Sequence, residues 1–147
     1  MICTTYVGAS TYYVSSSEGD DSNDGQSPAS AFQSIGHLNG MSFGAGDSIL
    51  FQSGDYWEGM FWIKGTGSED DPIFVGKYGG DLKPVINGFG YQACLLIYND
   101  SYIHVQDLEL YNEGSHLDSQ GVIKKLDGFA GESNDWGSGK NVRFGIE

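Results

Sequence analysis

Short apolar segments recur along this chain at an almost fixed step, and a repeat of that size restricts the folds open to it more than any single motif. Ile49-Leu50-Phe51, Ile73-Phe74-Val75 and Leu95-Leu96-Ile97 are spaced by 73 − 49 = 24 and 95 − 73 = 22 residues. A second set interleaves with the first: Phe61-Trp62-Ile63, Val85-Ile86-Asn87 and Leu108-Glu109-Leu110, at steps of 85 − 61 = 24 and 108 − 85 = 23. A unit holding two such strands and their turns is too short for a crossover helix and too regular for a sandwich. The spacing predicts an all-β parallel β-helix, with residues 49–51 beside 73–75 and those beside 95–97.

Length and composition agree with one such domain. The chain has 147 residues, with 23 Gly and only 3 Pro, which suits many tight turns rather than a disordered linker. Its formal charge of −13, from 7 basic and 20 acidic residues, argues against nucleic acid and anionic membranes as partners. Neutral glycans and cations remain. No apolar stretch has the length of a transmembrane span. Cys3 and Cys94 form neither a disulfide framework nor a zinc spacing, and Cys94, opening a strand, reads as a small buried apolar residue.

Residues 1–10 read as the remnant of a secretory leader, because Val7-Gly8-Ala9 has the small-residue form of a cleavage site. Residues 11–147 then form the cap and first coils. Thr11-Tyr12-Tyr13-Val14-Ser15 is a β-branched and aromatic strand, followed by an acidic, Gly-bounded loop over 18–25. A helix is expected over 29–39. Pro28 stands at its start, Ser30 and Gln33 fit a capping box, Phe32, Ile35 and Leu38 recur at helical spacing, and Asn39-Gly40 ends it. Such a helix would cover the first coil, whose strand edges and core would otherwise be exposed. Further on, Ile103 and Val105 alternate with Tyr102, His104 and Gln106, so the first pair should face the core. After Asn112 the periodicity fades, with strands read only at Gly121-Val122-Ile123 and over 141–146, and an uncapped last strand reads as a truncated chain.

Tyr12-Tyr13-Val14-Ser15, the Gly19 to Gly25 loop, Pro28 and Phe32-Gln33-Ser34-Ile35 together resemble the opening of secreted right-handed parallel β-helix proteins of carbohydrate metabolism. Gly46-Asp47-Ser48-Ile49, Gly54-Asp55-Tyr56, Asp71-Pro72-Ile73, Lys83-Pro84-Val85-Ile86-Asn87-Gly88 and residues 102–112 are similar to the first coils of the pectate, alginate and chondroitin lyase-like families. Ala45 departs from them where many relatives place proline. The resemblance implies an extracellular or periplasmic protein with a polysaccharide partner. The activity it implies is β-elimination on acidic glycans, with catalytic residues downstream, so that this chain alone would be inactive. A glycoside hydrolase or a non-catalytic glycan-binding protein on the same scaffold is the alternative; paired carboxylates on neighbouring coils would mark the hydrolase.

Asp20-Asp21-Ser22-Asn23-Asp24-Gly25 places oxygen donors at alternate positions before a turn glycine, which makes Asp20, Ser22 and Asp24 candidate Ca²⁺ ligands. The position of the closing bidentate acid, 20 + 11, is Ala31, and an Asx-turn without metal explains the same residues. His104 and Glu109 read either as an acid and base or as two solvated residues. His37 and His116 have no evident partners. Lys124-Lys125 is either a uronate clamp or a solvated pair. Tyr56, Trp57, Trp62, Tyr78, Tyr91, Tyr98, Tyr102 and Tyr111 offer stacking faces for sugars, and whether Trp62 or its neighbours Phe61 and Ile63 point outward stays open.

Overall fold

The structure, a computed structural model, describes residues 8–113 and Ile146. Met1 to Val7, Cys3 included, lie outside the described residues, as do Gly121-Val122-Ile123, His116, Lys124-Lys125 and Arg143. The described chain is all-β, with nine short strands: β1 (Thr11–Val14), β2 (Ser48–Gln52), β3 (Tyr56–Glu58), β4 (Phe61–Ile63), β5 (Ile73–Tyr78), β6 (Val85–Asn87), β7 (Leu95–Ile97), β8 (Ile103–Val105) and β9 (Glu109–Tyr111). Every pairing among them is parallel. Sheet A has the order β1-β2-β5-β8, sheet B β3-β6-β9 and sheet C β4-β7, so the chain visits A, B and C in rotation. Ile146 adds a parallel bridge to Leu95 beside sheet C.

The parallel stacking agrees with the repeat, and residues 49–51 pair with β5 as the spacing predicts, but the other partners differ in part. Residues 73–75 pair with β8 and not with β7, whose partner is β4. Val85–Asn87 pairs with β3, five residues upstream of the expected Phe61–Ile63. Three ladders replace two, and their steps are uneven: Ile49↔Val75↔Val105 gives 75 − 49 = 26 and 105 − 75 = 30, while Trp57↔Ile86↔Leu110 gives 86 − 57 = 29 and 110 − 86 = 24. Of the four regular steps, 49 to 73 and 85 to 108 join paired strands of sheets A and B, whereas 73 to 95 and 61 to 85 join strands of different sheets.

Alternation within each strand builds the core. Ile49, Phe51, Ile73 and Val75 of sheet A, Ile86 of sheet B, and Phe61, Ile63 and Leu95 of sheet C are fully buried, with Trp57 nearly so. Ile103 and Val105 pack against this core while Tyr102 and His104 face outward, as their alternation predicts. At Trp62 the open alternative resolves: Phe61 and Ile63 point inward, and Trp62 joins a second cluster of Met60, Tyr91, Ala93 and Leu96 on the outer side of sheet C. Cys94 is buried, with its thiol on the Tyr111 carbonyl at 3.1 Å, and burial pushes that thiol's pKa up.

The expected helix over 29–39 is two separate pieces. Pro28–Ser30 is a single 3₁₀ turn capped by Ser27, and α1 (Ile35–Asn39) is capped by Ser34, whose hydroxyl accepts the His37 N–H. The Ser30–Gln33 capping box does not form. Phe32 is the reason: its N–H donates to the Tyr13 carbonyl and its carbonyl accepts from Ser15, so it bridges β1 at Val14 as a short strand and interrupts the helix. The segment still shields an edge, because Tyr13 N–H also donates to Gly25. Asn39, fully buried at the end of α1, covers the other exposed edge. Its amide donates to the Met60 carbonyl at 2.9 Å and accepts the Trp62 N–H at 2.8 Å, the two backbone groups that flank Phe61 on the side away from β7. One side chain thus takes the place of a missing parallel strand. Next to it Gly65, at φ 125°, lets Phe43 approach so closely that an added Cβ would lie 1.9 Å from the Phe43 carbonyl oxygen.

Candidate functional site

The outward residues of sheet B form a connected polar and aromatic surface. Because β3, β6 and β9 are in register as Tyr56↔Val85↔Glu109 and Glu58↔Asn87↔Tyr111, burying Trp57, Ile86 and Leu110 inward sends these six side chains outward. Tyr56 is 41% exposed, yet its hydroxyl is held at both ends: it donates to Glu58 Oε1 at 3.0 Å and accepts from Asn87 Nδ2 at 2.9 Å. Tyr111 reaches the same hydroxyl. Desolvation, with added contributions from Tyr111 and Glu58, pushes the Tyr56 phenol up to about 12 against the opposing bond from Asn87, so it stays protonated as a donor at neutral pH. Asn87 is 5% exposed, and its Oδ1 accepts the N–H groups of Phe89 and Glu113, which fixes the amide's orientation.

Sequence reasoning missed this network although it singled out Tyr56, Tyr111 and Glu109. Y-W-E, V-I-N and E-L-Y each alternate outward, inward, outward, but only the register aligns them.

Several sequence candidates are kept apart. His104 lies on β8 in sheet A and Glu109 on β9 in sheet B, so they do not share a face as an acid and base would need; His104 contacts Gln106 at 3.2 Å and packs on Phe74. His37 stacks on Phe32 with ring centroids 4.2 Å apart. In the acidic loop, Asp20 Oδ1 accepts the N–H and hydroxyl of Ser22 at 2.8 and 2.6 Å, and Asp24 Oδ1 accepts from the Gln26 N–H and the Ser30 hydroxyl. These bonds hold both carboxyls below their usual pKa, led by the Ser22 hydroxyl at Asp20 and the Gln26 N–H at Asp24. Asp21 turns away to accept from Gln33 and Ser34. Asp55 ties Ser15 and Ser17 to the turn before β3; desolvation raises its pKa, and the serine bonds outweigh that to lower it. Among the described residues, no three His, Cys, Asp or Glu side chains gather as a metal-holding group.

Rigid aromatic rings, a fixed amide and carboxylates on one flat sheet face are the surface chemistry of carbohydrate-active proteins, in which rings stack on sugars and polar groups bind their hydroxyls. The comparisons narrow that class. The chain is 34% identical to the lacto-N-biosidase of Bifidobacterium longum subsp. longum over 142 residues, which cover 78% of this chain and 9% of that enzyme. It also superposes on two crystal structures of the GH136 lacto-N-biosidase from Eubacterium ramulus. The native protein gives a TM-score of 0.66 at 30% identity over 71% of this chain and 20% of that one, and the selenomethionine derivative 0.70 at 26% over 93% and 23%. The chain therefore spans under a tenth of the curated relative and about a fifth of the solved ones. No protein-family profile matches it.

These relatives overturn the expectation of a polysaccharide lyase acting by β-elimination on acidic glycans. They are glycoside hydrolases, and the likeness to pectate, alginate and chondroitin lyase openings reflects strand and turn patterns that do not carry the chemistry. The six outward positions of sheet B agree, since they hold two glutamates and no lysine or arginine to meet a uronate.

Proposed function

We propose that this chain supplies coils of a right-handed parallel β-helix in a secreted glycoside hydrolase that acts on an oligosaccharide, of the lacto-N-biosidase type. The observation that carries the reading is the 34% identity over 78% of the chain. Glu58 and Glu109 share the face of sheet B, on strands separated by β6 and two residues out of register. The expected result is saturable binding of an aryl lacto-N-bioside in a fluorescence titration of the chain, with no unsaturated product from pectate, alginate or chondroitin. Absence of binding, or ultraviolet-absorbing product from a uronate polymer, would overturn the reading.

Calcium at Asp20, Ser22 and Asp24 belongs to the same proposal. Only Oδ1 of each aspartate accepts bonds within the turn, and the Ser22 hydroxyl donates its proton to Asp20, so Oδ2 of both aspartates and the hydroxyl lone pairs stay open to an ion. Ca²⁺ should raise the Tm, and Asp24→Ala should abolish the rise. Identical melting curves in chelator and in millimolar-range calcium would leave only the Asx-turn reading.

A further inference from the structure

We propose that the outward face of sheet B docks one neutral pyranose unit of an oligosaccharide, with Tyr56 and Tyr111 as its stacking surface, Glu58 as its hydroxyl partner and the buried Asn87 holding Tyr56 in place. The proposal rests on the glycosidase reading and locates its sugar contact. Tyr56 offers an exposed ring whose hydroxyl is held by Glu58 and Asn87 at 3.0 and 2.9 Å, so little rotamer freedom remains to be lost when a sugar covers it. Asn87 is fixed in turn by the Phe89 and Glu113 N–H groups at 2.9 and 3.0 Å, which leaves the donors and acceptors of this face in one arrangement before any ligand arrives. Charge decides the ligand class. Glu58 and Glu109 lie outward on the same sheet with no cation at the other four outward positions, so a uronate carboxylate would meet like charge, while a neutral sugar's hydroxyls can donate to carboxylate oxygens.

The test is calorimetric titration of the chain with lacto-N-biose and with trigalacturonate. Wild type should bind the neutral disaccharide and not the uronate. Tyr56→Ala should weaken binding about tenfold or more, and Tyr56→Phe, which keeps the ring, by less. Glu58→Gln should also weaken binding while melting like wild type, because both side chains are exposed. Unchanged affinity in folded Tyr56→Ala and Glu58→Gln would overturn the site and leave the glycosidase reading standing. Trigalacturonate binding that Glu58→Gln strengthens would overturn the neutral-sugar assignment. Wild type that binds neither sugar would remove the reading and the site together.

Discussion

Replacing Asn39 by leucine is expected to cost about 3 kcal/mol of folding stability, read as a lower urea midpoint at unchanged slope. Asparagine and leucine are close in volume, so the loss arises from polarity and not from a cavity. The Met60 carbonyl and the Trp62 N–H point away from β7, and Asn39 Nδ2 and Oδ1 are their partners at 2.9 and 2.8 Å. With leucine, both groups stay buried and unsatisfied, each at roughly 1–3 kcal/mol. Asn39→Asp keeps an acceptor for Trp62 but sets a carboxylate against the Met60 carbonyl in a fully buried place, and should be no better. Lys64 adds to the same junction, its ammonium donating to the Asn39 carbonyl and lying 4.6 Å over the Trp62 ring. A midpoint within about 0.5 kcal/mol of wild type would mean that water reaches this edge and that the asparagine is not its cap.

The same edge shows what sequence could and could not supply. That residues 29–39 cover a strand edge was legible, because a stripe of Phe32, Ile35 and Leu38 ahead of a strand repeat has to cover something. The form of that cover was not. Phe32 satisfies helical spacing and strand pairing equally well, and only the contact with Tyr13 and Ser15 decides between them. Parallel stacking was legible too, since short apolar strands such as 49–51 and 73–75 recur at a step too short for a crossover helix. Register was hidden by the corners. Phe89, Asn99, Tyr102 and Asp107 all take positive φ without the glycine that would announce a turn, and the corner at Asp107, φ 58°, moves the chain from β8 to β9 and so parts His104 from Glu109. Tyr56–Glu58 is too short to show a period, and missing it merged sheets B and C into one ladder. The outward face of sheet B could not be assembled without that strand. The reaction class was the least legible of all, because turns and strands repeat across enzymes whose chemistry differs.

Phe51→Ala should be the most damaging single truncation in the described core, with a loss of about 4 kcal/mol. Phe51 is fully buried where the three sheets meet: it sits on β2 of sheet A and packs edge-on against Trp57 of sheet B at 4.9 Å and Phe61 of sheet C at 5.7 Å. Truncation opens a cavity and removes two ring pairs that together join all three sheets, each worth about 0.5–1.5 kcal/mol beyond area burial. Phe51→Leu fills much of the space and should lose about half as much. Phe74 is the matched control. It is one position out of phase on neighbouring β5, half-buried, with its ring lying over Gly76 on the outer face, so Phe74→Ala should cost under about 1 kcal/mol. Against a total stability of about 5–15 kcal/mol, the Phe51 variant should be partly unfolded near 37 °C while the Phe74 variant melts close to wild type. Equal losses at the two positions would place Phe74 inside and invert the faces of sheet A. A Phe51/Phe61 double-mutant cycle should show coupling of about 1 kcal/mol, because the second truncation no longer removes a contact that the first has already broken.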